Sequence, residues 1–157
     1  MKTNWKKWII CLAIPLAVGG LATLLSGGME NYTLMNQPPL SPPGWIFPVV
    51  WTILYVLMGI SAALVYTNRE INPKSADKAL VIYAFNLILN FAWSIIFFRF
   101  RAFFAAFICL MALLITIIKM ISSFYKINKL SAYLQIPYLL WVAFAGYLNF
   151  GIWFLNR

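Results

Sequence analysis

Amide and indole side chains recur at helical spacing in three stretches of this sequence. In one of them, Asn86 and Asn90 lie one turn apart, and Trp93 and Phe97 continue roughly the same face. The pattern is repeated in two further sets, which are Trp51, Tyr55 and Gly59, and Trp141, Ala145 and Asn149. Indoles stack on flat apolar molecules, and amides bond polar atoms at their edges. The pattern therefore suits a site for a flat, mostly apolar ligand, whereas composition alone favours mutual packing of the aromatics, and interhelical hydrogen bonds are the other explanation for the amides.

Residues that support most other chemistry are scarce. The sequence contains no histidine, and its three acidic residues, Glu30, Glu70 and Asp77, are all predicted in loops. The predicted membrane interior therefore carries no charge for proton coupling, which disfavours pumps and antiporters. Conventional hydrolytic or metal catalysis is not expected, and no metal site or cofactor is predicted. Cys11 and Cys109 show neither metal-ligand spacing nor a disulfide framework.

Five long stretches without charged residues must position these side chains. Each is long enough to cross a bilayer, and a spanning segment must be helical because only a helix satisfies its own backbone polar groups in lipid. The sequence thus predicts an all-α, integral membrane five-transmembrane-helix bundle. Trimmed at their prolines, the helices are expected at about 8–28, 44–66, 79–99, 102–122 and 132–154. Because the connections are short, residues 1–157 are expected to form a single membrane domain.

The net charge of +9 comes from basic residues scattered along the connections. They are not gathered on one face, so no nucleic-acid partner is predicted. One predicted side of the membrane carries most of them, namely Lys2, Lys6, Lys7, Arg69, Lys74, Lys78, Lys119, Lys126 and Lys129. By the positive-inside rule, the N-terminus is expected in the cytoplasm, and the C-terminus and the first loop outside. This loop, residues 29–43, contains the run PPLSPP, whose prolines favour a semi-rigid cover.

Four motifs, in order along the chain, resemble those of the TspO/MBR family. This family comprises the tryptophan-rich sensory proteins and the translocator proteins, or peripheral benzodiazepine receptors. The motifs are PPLSPPGW at 38–45, PVVWTILYVLMG at 48–59, LNFAWSIIFF at 89–98 and PYLLWVAFAGYLN at 137–149. The resemblance covers nearly the whole chain. Each motif is modest alone, but four in order on a chain with five predicted helices are specific.

The resemblance implies a tetrapyrrole-binding membrane protein, for porphyrins such as protoporphyrin IX, that acts as a sensor or carrier. The first loop would be a lid over the pocket, and the protein would often be a homodimer. Carried over by motif, the ligand-binding residues would be Tyr32, Trp51, Asn90, Trp93, Trp141, Ala145 and Leu148. Isoquinoline- or benzodiazepine-type drugs, which bind animal relatives, are implied as further ligands.

The same resemblance leaves two other function classes open. In one, the protein is an enzyme that degrades porphyrin oxidatively in light, with the indoles of Trp51 and Trp141 in the redox step. In the other, it allows passive transport across the bilayer, which the missing membrane charge makes less favoured. For the homodimer, candidate contacts are small residues four apart, namely Gly19, Thr23 and Gly27 in the first helix and Ala105 and Cys109 in the fourth, and packing within one bundle explains them equally well.

Two features separate this chain from the animal relatives. The cholesterol motif near their C-terminus needs a Tyr shortly before a basic residue, whereas this chain has Phe150 there and Arg157 is too distant. Cholesterol is therefore not predicted as a native ligand. The N-terminal region lacks an Arg- and Ser-rich transit-like stretch, which favours a bacterial plasma membrane over an organelle.

Overall fold

A computed structural model describes residues 4–157, and within these residues the chain is helical and contains no strand. Five long helices form the bundle, namely α1 (Trp5–Ser26), α2 (Ile46–Thr67), α3 (Pro73–Ser94), α4 (Phe103–Tyr125) and α5 (Ile136–Leu155). Each, with its flanking turns, is long and apolar enough to cross a membrane. The prediction of an all-α membrane bundle of five helices is confirmed.

Local capping explains where two helix boundaries differ from the prediction. The third helix begins at Pro73 rather than near residue 79, because Asn72 caps it by accepting a hydrogen bond from the Ser75 backbone N–H (3.3 Å). The fifth begins at Ile136, after a separate short helix at Lys129–Tyr133 that starts with its own Asn128 cap. The first of these starts lies among polar residues outside the apolar stretch, whereas the second lies within its stretch.

Glycines set the close contact between α1 and α2. A Cβ atom at Gly59 would lie 2.8 Å from the Leu12 Cα, and one at Gly19 would overlap the ring of Tyr55. Small residues let helix backbones approach in lipid, where packing rather than the hydrophobic effect drives association. Gly19, one of the candidate dimer contacts, is thus buried within the chain, whereas Ala105 of α4 is exposed. The third helix packs against α1, α2 and α4, and α4 packs against α5.

The third helix ends in a π-helical turn at Ile95–Arg99. In this turn the Phe100 N–H donates to the Ile95 carbonyl at 3.1 Å, five residues back. The wider turn brings Phe98 round to the face that carries Trp93, and both side chains are buried. The chain then reverses at Arg101, whose φ of 51° lies in the left-handed region, and enters α4.

The bundle has two distinct ends. The lid, residues 29–43, lies at the end where α1 stops and α2 starts, which we call the lid end. The opposite end carries Lys7, Lys74 and Lys126, and we call it the lysine end. The grouping of these lysines at one end agrees with the predicted distribution of charge. Lys2, also predicted there, lies outside the described residues.

Candidate functional site

The lid is hydrogen-bonded to the far end of α5. Tyr147 Oη donates to the Pro39 carbonyl at 2.7 Å. Asn156 makes two further bonds, because its Oδ1 accepts from the Asn36 N–H at 3.0 Å and its Nδ2 donates to the Asn36 carbonyl at 2.8 Å. Three hydrogen bonds therefore fasten this loop to α5 and the residue that follows it.

A proline of the lid also packs directly on α5. A Cβ atom at Gly151 would lie 2.6 Å from two ring carbons of Pro38, so only glycine leaves room for this contact. Ser41 Oγ donates to the Pro38 carbonyl at 2.7 Å, and Leu40 between them adopts a φ of 68°. The proline run is thus a compact turn seated in a notch of α5.

Tyr32 anchors the inner surface of the lid. Its side chain is 2% exposed, its Oη donates to the Pro42 carbonyl at 3.3 Å, and Gln37 Nε2 donates to its carbonyl at 2.8 Å. Burial raises the pKa of the Tyr32 phenol, so the hydroxyl keeps the proton that it donates. Its ring lies edge-on to Phe47 with centroids 4.9 Å apart, which joins the lid to the first turn of α2.

A cavity of about 250 Å³ lies beneath the lid end, between α1 and α2. Small residues of α1 form one wall, and aromatic residues of α2 and α3 form the other. The residues that matter most here are Gly19, Thr23, Phe47, Trp51, Tyr55 and Trp93. One wall of the cavity is therefore aromatic, and the opposite wall is made of small residues. This arrangement suits a flat molecule.

A smaller cavity of about 20 Å³ lies directly under the lid. Its lining includes Tyr32, Phe47, Trp93, Phe98, Ala145 and Leu148. Such a volume holds about one water molecule. Phe47, Trp93 and Phe98 line both cavities, so these three rings form the wall between them.

Trp51 is the centre of an aromatic cluster in the larger cavity. Its ring stacks on Tyr55 with centroids 5.5 Å apart, lies 6.0 Å from Trp93 and meets Tyr138 edge-on at 6.2 Å. The Nε1 of Trp93 donates to Asn149 Oδ1 at 3.0 Å, so this indole is fixed in place.

Trp141 lies apart from this cluster and lines neither of the two cavities. Its ring packs against Phe47 and Phe144, in each case with centroids 5.7 Å apart. Its Nε1 is buried and has no hydrogen-bond partner among residues 4–157. A ligand that displaced Phe47 would therefore meet an unused donor.

Buried amides join the helices below the cavities. Tyr55 Oη donates to Asn90 Oδ1 (2.8 Å), and Asn90 Nδ2 donates to Tyr138 Oη (3.1 Å). Tyr138 Oη in turn donates to Asn86 Oδ1 (2.9 Å), and Asn86 Nδ2 donates to Thr116 Oγ1 (3.0 Å). Four helices are linked in this way. Asn86 and Asn90 thus make hydrogen bonds between helices, which was the alternative to ligand binding. Asn90 lines neither cavity.

The predicted site residues accordingly divide into groups. Trp51 and Trp93 line the larger cavity, and four of them line the smaller one, namely Tyr32, Trp93, Ala145 and Leu148. Trp141 adjoins the wall, and Asn90 lies beneath it. Phe47 was missed because one more apolar residue beside Pro48 carries no signal in the sequence, and the role of Phe98 depends on the π-helical turn.

Comparisons of this chain with known proteins all indicate the same family. A model of the TspO/MBR family matches residues 9–154. The tryptophan-rich protein TspO of Chlorobaculum tepidum is 35% identical over 94% of this chain and 94% of its own length. That of Archaeoglobus fulgidus is 37% identical over 98% and 99%. The translocator protein of Ovis aries is 31% identical over 100% of this chain and 94% of its own length.

Proposed function

Because this chain belongs to the TspO/MBR family, we propose that it is a membrane protein that binds a tetrapyrrole beneath the lid and acts as a sensor or carrier. A porphyrin such as protoporphyrin IX is the ligand that we have in mind. The observation that carries this proposal is the pair of cavities under a latched lid, separated by the rings of Phe47, Trp93 and Phe98. A flat aromatic ligand would replace the contacts that these rings make with one another.

Binding requires the closed arrangement to open. The two cavities together fall short of the roughly 300–1,000 Å³ that is typical of small-molecule sites. Phe47 would couple movement of the lid to the site, because its ring contacts Tyr32 of the lid on one side and Trp141 on the other. Displacement of the lid would release Phe47, join the two cavities and expose the buried Nε1 of Trp141. The proposed ligand would then stack on Trp51 and accept a hydrogen bond from the Nε1 of Trp141.

The chemistry of the lining supports recognition by stacking rather than by charge. No Asp, Glu, Lys or Arg of the described residues lines either cavity. The anionic edge of a porphyrin would therefore remain at the lid end, where Arg99 and Arg101 lie. Ala145, only 4% exposed, leaves room beside Tyr32 that a larger side chain would fill.

An enzyme that degrades porphyrin in light is the alternative. Its support is the position of Trp51, an electron-rich indole surrounded by Tyr55, Trp93 and Tyr138 at centroid distances of 5.5–6.2 Å. In this mechanism dioxygen oxidises the excited porphyrin, and the indoles of Trp51 and Trp141 take part in the electron transfer. Passive transport is the third class, and it has no specific contact in its support.

Illumination of a stoichiometric porphyrin complex separates these functions. The absorption bands would be followed with and without dioxygen, for the wild-type protein and for Trp51→Phe and Trp141→Phe. Bands that decay no faster than those of porphyrin in empty micelles favour a sensor or carrier. Loss of the bands that requires dioxygen and is slowed in the variants favours the enzyme. Failure of the wild-type protein to bind porphyrin at all would contradict both.

The proposal extends to location and assembly. The protein would lie in a bacterial plasma membrane with its lysine end in the cytoplasm, because basic residues favour that side. The proposal also includes a homodimer, for which the exposed Ala105 of α4 remains a candidate contact. Isoquinoline- or benzodiazepine-type drugs would occupy the same site under the lid.

A further inference from the structure

A separate crevice lies at the lysine end, away from the lid. It has a volume of about 310 Å³ and lies between α1, α2 and α3. Its walls are mostly apolar, and Ile10 and Ile14, which are about half exposed, border it on the outer surface of α1. None of its lining residues lines either cavity under the lid. The crevice is therefore independent of the proposed tetrapyrrole site.

Tyr83, which lines this crevice, carries an unused hydroxyl. The residue is 6% exposed, and its Oη is buried without a hydrogen-bond partner in the described part of the chain. The hydroxyls of three other core tyrosines, Tyr32, Tyr55 and Tyr138, all donate to protein oxygens. Buried hydroxyls are normally bonded because an unpaired one loses its hydration without compensation. The Oη is covered in this structure, so an acceptor on a bound molecule would reach it after the neighbouring side chains move aside.

Lys7 supplies a positive charge at the mouth of the crevice. Its Nζ lies 5.3 Å from the centroid of the Tyr66 ring, and no carboxylate of residues 4–157 is within ion-pair distance of it. Arg69 lies over the same ring at 5.8 Å but is paired with Asp77 at 2.6 Å. Lys7 is thus positioned to attract an anionic group at the membrane surface.

The residues that line the crevice lie at different depths from the lysine end. Lys7 lies one helical turn, about 6 Å, above Cys11 along α1, and both line the crevice. On α3, Leu80 lies nearest the lysine end, Tyr83 follows, and Leu87 lies farthest in. Lys7 therefore marks the outer end of the crevice, and Tyr83 lies deeper, between the apolar side chains of Leu80 and Leu87. A glycerophospholipid likewise presents a phosphate at its outer end, with ester carbonyls and an acyl chain deeper.

We propose that this crevice binds one anionic glycerophospholipid. The phosphate contacts Lys7, an ester carbonyl accepts from Tyr83 Oη, and the acyl chain lies along the apolar walls. A fatty acid has a single polar group, which cannot serve Lys7 and Tyr83 together. A zwitterionic phospholipid has the carbonyls but not the net charge that favours Lys7.

Native mass spectrometry of the full chain in detergent tests this proposal. The probes are phosphatidylglycerol and phosphatidylcholine with identical acyl chains. We expect one phosphatidylglycerol to be retained preferentially, and its affinity to fall about fivefold in Tyr83→Phe and about fivefold in Lys7→Gln. Tyr83→Phe removes a hydroxyl that has no partner among residues 4–157, so the variant should fold as the wild type does. The matched controls are Tyr125→Phe and Lys126→Gln, which change exposed residues outside the crevice.

Cys11 reports where the lipid lies. On a Cys109→Ser background, phosphatidylglycerol should slow alkylation of Cys11 by N-ethylmaleimide, and Tyr83→Phe should reduce this protection. Equal retention of both lipids, or unchanged retention in Tyr83→Phe and Lys7→Gln, would overturn the proposal. So would protection of Cys11 by a neutral sterol to the same degree, or protection that rises with protein concentration and indicates a second copy of the chain.

Discussion

The side chain of Asn156 pairs with the backbone of Asn36, 120 residues earlier in the chain, through two hydrogen bonds of 2.8 and 3.0 Å. The pairing imitates a step of a β-ladder, because one amide both donates to and accepts from the same backbone residue. It joins the middle of the lid to the end of α5. Any movement of this loop away from α5 therefore requires the pair to separate.

Asn156→Ala should accelerate release of a bound porphyrin. Loss of two partly exposed hydrogen bonds is worth about 1–2 kcal/mol, which corresponds to roughly a tenfold faster dissociation. Stopped-flow displacement by excess competitor measures the rate. Asn36→Ala is the matched control and should dissociate as the wild type does, because the bonds use the backbone of Asn36 rather than its side chain. Equal rates in all three proteins would show that the pair does not limit release.

Trp51→Ala and Trp141→Ala should weaken porphyrin binding by about 1–3 kcal/mol each, because Trp51 stacks on the ligand and Trp141 donates a hydrogen bond to it. Quenching of the remaining tryptophan fluorescence gives the affinity. Trp45→Ala serves as the control, because this indole is 69% exposed and lines neither cavity. If neither pocket variant loses affinity while circular dichroism shows an intact fold, the pocket assignment is wrong.

Ala145→Phe should abolish porphyrin binding while the protein still inserts and purifies. Ala145 lines the small cavity beside Tyr32, so a phenyl ring there would take the space that the ligand needs. The overpacking should lower stability by about 1–3 kcal/mol. Ala143→Phe, on the exposed face of the same helix, should bind porphyrin normally. Normal binding by the Ala145 variant would mean that the ligand does not approach this face of α5.

Tyr138→Phe should lower the thermal midpoint of the protein in detergent. The change leaves Asn86 Oδ1 and Asn90 Nδ2 without the phenol that each of them bonds, at a cost of about 1–2 kcal/mol. Tyr133→Phe is the control, since that residue is 53% exposed. A midpoint as high as that of the control would show that the two amides find other partners.

Cysteine labelling tests the expected orientation on a background without Cys11 and Cys109. A cysteine at Asn36 should react with an impermeant maleimide added to intact cells, and one at Ser75 should not. Both positions are exposed and lie at opposite ends of the bundle. The reverse pattern would put the lid and the tetrapyrrole entrance in the cytoplasm.

The sequence predicts the five helices well because a membrane imposes one requirement, a long apolar helix, which composition reveals directly. It predicts their contacts less well. Asn156 and Asn36 lie in two connections whose pairing no local pattern indicates. Asn90 has the same amide whether it bonds a ligand or, as here, Tyr55 and Tyr138. Whether Asn90 bonds a ligand or another helix depends on which helices it faces, and only the packed bundle shows this.

Residues of the cavity wall show the same limit. Trp51 and Trp93 stand out because indoles are rare and their spacing is helical. Phe47 is one of thirteen phenylalanines in an apolar chain, and its role comes from contacts with both Tyr32 and Trp141. Tyr83 is another residue that periodicity does not single out, since only the packed structure shows that its hydroxyl has no partner in the part of the chain that the structure describes.

The π-helical turn at Ile95–Arg99 has a consequence for how relatives are compared. Such a turn is equivalent to one residue inserted into an α-helix, and here the extra residue brings Phe98 into the wall between the two cavities. In an ordinary α-helix of the same residues Phe98 would face away from Trp93, whereas a single-codon deletion between the two restores the ordinary helix and leaves Phe98 four residues after Trp93, on the same face. A relative with a one-residue gap at this point of an alignment can therefore keep the same wall, provided that an aromatic residue lies four positions after its counterpart of Trp93.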